Sequence, residues 1–137
     1  MTTWSCGKQE EELKSFAVYA ANSNSRTLPA GAKLPNGWGL FDVHGNVWEW
    51  SHDWYGESLP SGSEPQGPST GSNRVLRGGR WLGTADRARS AVRGGGSPGD
   101  RIISYFGGGV RLAQVPGARK GSGAVSGAVE GPSGAAP

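Results

Sequence analysis

The sequence predicts a loop-rich α+β domain with a small sheet and one or two short helices, and three observations lead there. Twenty-five glycines and nine prolines punctuate 137 residues, while Leu, Ile, Val and Phe are scarce, so long regular elements have little to build on. Six Trp and three Tyr must then supply much of the core. The densest segment, Asn36 to Trp50, gathers four aromatics, three glycines and two carboxylates in fifteen residues with no helical or strand period. Such a segment suits a turn-rich core around a polar or metal-held loop.

Taken in order, residues 9–21 place Leu13, Phe16, Ala17 and Ala20 at three- and four-residue spacing behind an acidic first turn, which predicts an amphipathic helix. Asn22–Ser25 ends it, and residues 27–34 read as extended, punctuated by Pro29 and Gly31. A second short helix or tight loop is expected around Gly39. Residues 58–73 turn to Pro, Gly and Ser, marking a surface loop between two structured halves. Strands are expected at Val75–Arg77, across residues 86–93 with alternating faces, and at residues 109–114, with Gly78 and Gly79 breaking or bulging the chain before Trp81. Residues 1–115 form one domain, and 116–137 carry too little apolar bulk to offset their ordering entropy, which predicts a flexible tail.

Charge and cysteine content narrow the function classes. Residues 1–73 carry four Lys and Arg against eight Asp and Glu, whereas residues 74–111 carry eight Arg against two Asp. Arginines spread through a Trp- and Gly-rich segment pair with carboxylates and stack on rings, and no nucleic-acid motif accompanies them, so no nucleic-acid partner is expected. Cys6 is the only cysteine, which excludes an internal disulfide and a zinc knuckle and leaves a free, inert or terminal thiol. No apolar run approaches the ~20 residues of a membrane span, and no basic-then-apolar leader opens the chain. As written, a cytoplasmic protein is expected unless it is exported or phage-borne by other means.

The segments Gly37–Trp50 (GWGLFDVHGNVWEW), Asp53-Trp-Tyr, Arg74-Val-Leu-Arg-Gly-Gly-x-Trp, Arg89-Ser-Ala and Arg111-Leu-Ala, in that order, resemble the formylglycine-generating-enzyme, or sulfatase-modifying factor, family. The resemblance covers about residues 9–114, the C-terminal half of a full family domain. It implies a variant of the C-type lectin fold, with little regular structure, a small twisted antiparallel sheet, and a loop-and-strand surface near the C-terminus.

The family's branches differ in chemistry, so the fold alone does not settle activity. Its cysteine-oxidising enzymes use a pair of cysteines in the region corresponding to Arg80–Arg93, and this chain has no thiol there, which argues against that oxidase chemistry. Its iron-dependent sulfoxide synthases draw histidines from a further helical domain. Here only His44 and His52 are present; two His and a carboxylate can form an iron site, but His44 lies inside the scaffold motif, where structural hydrogen bonding is the favoured reading. The third branch is the variable proteins of diversity-generating retroelements, in which adenine-directed mutagenesis rewrites the 3′ end of the gene. The codons so produced exclude Lys, Glu, Gln, Met and Trp, and none of these five occurs from Leu82 to Val110.

That resemblance implies a non-enzymatic ligand-binding protein with a variable region at about 80–107 and no catalytic residue or catalytic cofactor. The expected ligand-binding positions are Arg80, Leu82, Gly83, Thr84, Val92, Gly94, Gly95, Gly96, Ile102, Ile103, Ser104, Tyr105 and Phe106, set among framework residues such as Trp81, Arg89, Arg93 and Arg111. The apolar cluster Ile102–Phe106 reads either as an exposed binding patch, with Tyr105 and Phe106 as anchors, or as a buried strand. The partner is expected to be an unidentified protein or cell-surface ligand. The resemblance also implies a structural calcium site from the carboxylates of Asp42 and Glu49 and the carbonyls of Gly45 and Val47; alternatively those carboxylates cap turns and pair with arginines of 74–111. Trp38, Trp48, Trp50, Trp54 and Trp81 read as core rather than as a sugar platform. A divergent or truncated metal-dependent oxidoreductase is the alternative function.

Overall fold

The computed structural model describes residues 2–59, 61, 67–99 and 107–111. Helix α1 is Glu10–Leu13, and four strands follow: β1 Trp48–Trp54, β2 Arg74–Arg77, β3 Gly94–Gly96 and β4 Gly108–Gly109, with a 3-10 turn at Ala85–Ala88 between β2 and β3. The remaining described chain is turns and loops, as the glycine and proline content requires. No helix among the described residues is long and apolar enough to cross a membrane. The expected positions Ile102, Ile103, Ser104, Tyr105 and Phe106, residues 112–114 of the expected last strand, and the tail at 116–137 lie outside the described residues.

The helix is far shorter than the span 9–21, and Asn22 explains why. Its side-chain carbonyl accepts the Tyr19 N–H at 3.0 Å, while its amide donates to the carbonyls of Ala17 at 2.9 Å and Lys14 at 3.2 Å. These are backbone groups that a continuing helix would pair internally, so the side chain competes with the helix and wins. Val18 is left extended and forms a parallel bridge to Gly45. The spacing of Leu13 and Ala17 is nonetheless a core spacing: both are buried with Trp4, Tyr19 and Ala85 in the main apolar cluster, against which Cys6 packs.

The sheet order is β3-β2-β1-β4, and it is mixed rather than antiparallel. Strands β1 and β2, and β2 and β3, pair antiparallel, but β4 runs parallel to β1 with Trp48 opposite Gly108. The last segment fits there because it is glycine: a Cβ on Gly109 would lie 2.7 Å from a Val47 methyl, and Gly107, at φ 93°, packs on the Trp81 indole. Strand β1 lacks an alternating pattern because its register shifts between Trp50 and Trp54 and its first four residues are all half-buried.

The strand expected across residues 86–93 is not formed. Ala85 and Ala88 are both buried, a three-residue repeat that matches a 3-10 turn, and the turn is opened by the Thr84 hydroxyl donating to the Asp86 carboxylate. The segment around Gly39 is a tight loop rather than a helix: the Asn36 side-chain oxygen accepts the N–H groups of Trp38 and Leu40, both at 3.0 Å. Residues 27–34 contain a turn at Ala30–Gly31, and no named strand. The tryptophans depart from expectation as well. Trp4 is the buried one, Trp48, Trp50, Trp54 and Trp81 are half-buried, and Trp38 is 81% exposed.

Candidate functional site

His44, Gly45 and Asn46 form a buried polar hub that ties the N-terminal segment to the segments at 78–88. The Ser5 backbone N–H donates to His44 Nε2 at 2.9 Å, so Nε2 is an acceptor and the ring proton sits on Nδ1, which donates to the Ala88 carbonyl at 2.8 Å. The Ser5 hydroxyl lies 2.7 Å from the same Nε2. Burial pulls the His44 pKa below its ordinary value, outweighing the opposing effect of the Ala88 hydrogen bond. A neutral imidazole joining three chain segments matches the structural reading of this residue.

Asn46, at φ 59°, brackets Leu28 with both ends of its amide, donates its backbone N–H to Val18 at 2.7 Å, and receives the Trp81 N–H on its carbonyl at 2.9 Å. Gly45 donates to the Gly78 carbonyl at 2.7 Å. Each of these bonds crosses between segments distant in sequence. The hub therefore fixes where Trp81 leaves the frame, and so where the expected variable segment begins.

From Trp81 the chain turns outward. Gly83 closes the turn onto the Arg80 carbonyl at 2.9 Å and accepts the Ala20 N–H at 2.9 Å. Leu82 and Thr84 are exposed, Arg80 and Gly83 half-buried. Val92 and Gly94 are half-buried, Gly95 exposed and Gly96 buried in β3. Thus Leu82, Thr84 and Gly95 reach solvent among the expected positions, while a Cβ on Gly95 would come within 2.9 Å of the Tyr55 ring.

Arginines pin this region through carbonyls. Arg77 donates to Val92 at 2.7 Å and Ser90 at 2.9 Å, and Arg93 donates to Gly56 at 3.0 Å with its guanidinium 5.2 Å from the Tyr55 ring centre. Arg74 lies 3.5 Å over Trp54. Burial, then the like charge of Arg93, pull Arg77 below its ordinary value. Rigid, planar donors of this kind hold loop backbone that no strand ladder supports.

Asp42 and Glu49 line one recess together with Val47 and Arg111. Glu49 is already paired: Arg111 donates to its two oxygens at 2.7 and 2.5 Å and to the Phe41 carbonyl at 2.8 Å. Asp42 accepts the Gly31 N–H at 2.7 Å. A dication needs six or more oxygen ligands, so this donor set fits calcium only after Arg111 releases Glu49. Among the described residues no group of three or more His, Cys, Asp or Glu side chains is placed to hold a metal ion. Cys6 is half-buried, and burial raises its pKa above the ordinary thiol value, which makes it a poor nucleophile.

Ser5 and Tyr19 were not singled out in the sequence, and the role of Ser5 depends on His44, 39 residues away. Asn22 was read only as a helix end, although its partners and those of Asn36 lie within eight residues.

In architecture the chain is similar to variable protein 1 of Treponema denticola, at a TM-score of 0.68 and 45% identity over 73% of this chain and 37% of that one. It is also similar to PvdO of Pseudomonas aeruginosa, at a TM-score of 0.55 and 29% identity over 64% of this chain and 35% of that one. In sequence it is 38% identical over 105 residues to the serine/threonine-protein kinase pkn1 of Chlamydia pneumoniae, covering 73% of this chain and 16% of the relative. It is 40% identical over 85 residues to the formylglycine-generating enzyme of Streptomyces coelicolor, covering 58% of this chain and 27% of that enzyme. The chain thus spans less than a third of the length of either relative. Residues 3–115 match the sulfatase-modifying factor enzyme 1-like domain, and the chain belongs to that family.

Proposed function

We propose that this chain is a non-enzymatic ligand-binding protein of the variable-protein type, its C-terminal surface diversified by a retroelement. The observation that carries this reading is the 45% identity to a variable protein. The absence of any cysteine from Arg80–Arg93 supports it by removing the thiols on which the cysteine-oxidising branch depends. A frame knotted at His44–Asn46 and pinned by Arg77 and Arg93 presents Leu82 and Thr84, so that exposed side chains change without unfolding the domain. Preorganisation of that surface lowers the entropic cost of binding. The ligand is a protein or cell-surface group.

The gene neighbourhood tests the reading directly. A reverse transcriptase gene beside an adenine-rich near-copy of the 3′ coding end is the expected result; its absence, together with stoichiometric copper or iron and oxygen consumption by the purified protein, supports instead an oxidoreductase like the formylglycine-generating enzymes among its relatives.

A further inference from the structure

A recess of about 390 Å³ lies between the N-terminal segment and the 3-10 turn, with Thr84 on its wall. Its walls are mostly apolar: Trp4, Ala20, Ala21 and Ala85. The Trp4 indole N–H is committed to the Ala85 carbonyl at 3.1 Å, so the ring contributes only its π surface. Tyr19 also lines the recess and is 1% exposed. Its hydroxyl is the single buried side-chain polar atom among the described residues with no partner in ordinary hydrogen-bond geometry, and the carboxylate it senses is that of Glu10. A buried hydroxyl without a partner is costly, and native folds seldom leave one without a reason.

The rim carries Glu10, Asp86 and Arg89. Asp86 already accepts from Thr84, and Arg89 Nε donates to the Asp86 carbonyl at 2.9 Å. Glu10 is exposed on α1 and takes part in no ion pair among the described residues. Burial first, then the neighbouring Glu10 carboxylate, push the Tyr19 phenol up to about 12, so the hydroxyl stays protonated and neutral.

We propose that this recess binds a primary ammonium group carried on a short apolar body. Three ammonium protons can be shared between the Tyr19 oxygen and the Glu10 carboxylate, the Trp4 ring attracts the cation, and the alanines cover the apolar stem. A carboxylate ligand would meet Arg89 but also two carboxylates, and a neutral alcohol would leave Glu10 without a counter-charge. The ammonium can come from a free amine or from a lysine side chain of a partner protein. The groups offered to the ammonium, Trp4, Glu10 and Tyr19, lie outside the expected variable segment, whereas Thr84, Ala85, Asp86 and Arg89 on the far wall lie within it, so amine binding at Tyr19 can fail without touching the display reading.

The test is a titration of the whole chain, followed by NMR at the Trp4 indole and the Tyr19 ring, with n-hexylamine, Nα-acetyl-lysine methylamide, 1-hexanol and hexanoate. Saturable shifts with either amine are expected, and the stronger of the two identifies the source. Tyr19→Phe, which deletes an unpaired hydroxyl and keeps the ring, and Glu10→Gln, at an exposed position, should each weaken amine binding roughly tenfold or more. Equal binding of hexanol or hexanoate, no saturable shift with either amine, or unchanged affinity in both variants would overturn the proposal.

Discussion

Arg111 grips Glu49 with two parallel hydrogen bonds of 2.7 and 2.5 Å across 62 residues of sequence. The pair joins the last described segment to β1 at the point where β4 pairs with it, and the carboxylate raises the Arg111 pKa above its ordinary value. A bidentate, partly covered pair is worth about 1 kcal/mol. Arg111→Ala is therefore expected to lower stability by about that amount in urea unfolding. It also leaves Glu49 without a counter-charge beside Asp42, so millimolar calcium should raise the Tm of the variant more than that of the parent. An equal or larger rise in the parent would show that a cation binds without displacing the arginine.

Stability should fall as the solution is acidified below the ordinary histidine value near 6.5, because of His44. Burial depresses its folded-state pKa, so the unfolded chain takes up the proton first as pH drops, and the contribution is full above 6.5 and progressively lost below it. Protonation of Nε2 would also convert the acceptor for the Ser5 N–H into a donor. Urea midpoints at pH 7.5 and pH 5.5 should differ for the parent and for His52→Gln, and converge in His44→Gln. A slope that disappears in the His52 variant would place the titration elsewhere.

Much of the frame was legible in the sequence, and the misreadings have local physical causes. Val75–Arg77 falls within β2, whereas the GWGLFDVHGNVWEW segment, read as a turn-rich core, supplies turns and the buried His44–Asn46 hub but leaves Trp38, Leu40 and Phe41 exposed and outside the main apolar cluster. The span 9–21 looked helical because its apolar spacing is real, but spacing does not reveal that Asn22 will take the Lys14 and Ala17 carbonyls. Residues 86–93 read as a strand with alternating faces, yet Ala85 and Ala88 bury on a period of three. Strand β1 was invisible because its register shifts. The expected site divides likewise: Leu82 and Thr84 are exposed, whereas Gly96 is buried in an edge strand whose glycines carry no side-chain pattern to read.

Gly45 has no room for a side chain. Its φ is 78°, and a Cβ would lie 2.1 Å from the Val18 carbonyl oxygen, a backbone atom held by the Asn46 N–H at 2.7 Å. Gly45→Ala is expected to destabilise by about 3 kcal/mol or more, by strain plus the loss of the Val18 bridge. Gly37→Ala, where nothing lies within 4 Å, should change stability by less than about 0.5 kcal/mol. Similar midpoints for the two variants in chemical unfolding would mean that the hub at 44–46 does not hold the fold.

If the surface beyond Trp81 is interchangeable, tolerance should follow exposure rather than position in the segment. Leu82 is 40% exposed, so Leu82→Ser and Leu82→Tyr should each stay within about 0.5 kcal/mol of the parent. Gly95→Ser is different despite its exposure, because its Cβ would press within 2.9 Å of the Tyr55 ring, which the Arg93 guanidinium backs; a loss of about 1–3 kcal/mol is expected. Trp81→Ala removes the ring against which Gly107 packs and should cost about 3 kcal/mol or more. A library randomised at Leu82 and sorted for folding by protease resistance should recover nearly every residue type, while one randomised at Gly95 should return chiefly glycine. Recovery of only apolar residues at Leu82 would identify that side chain as part of the packing rather than of the surface.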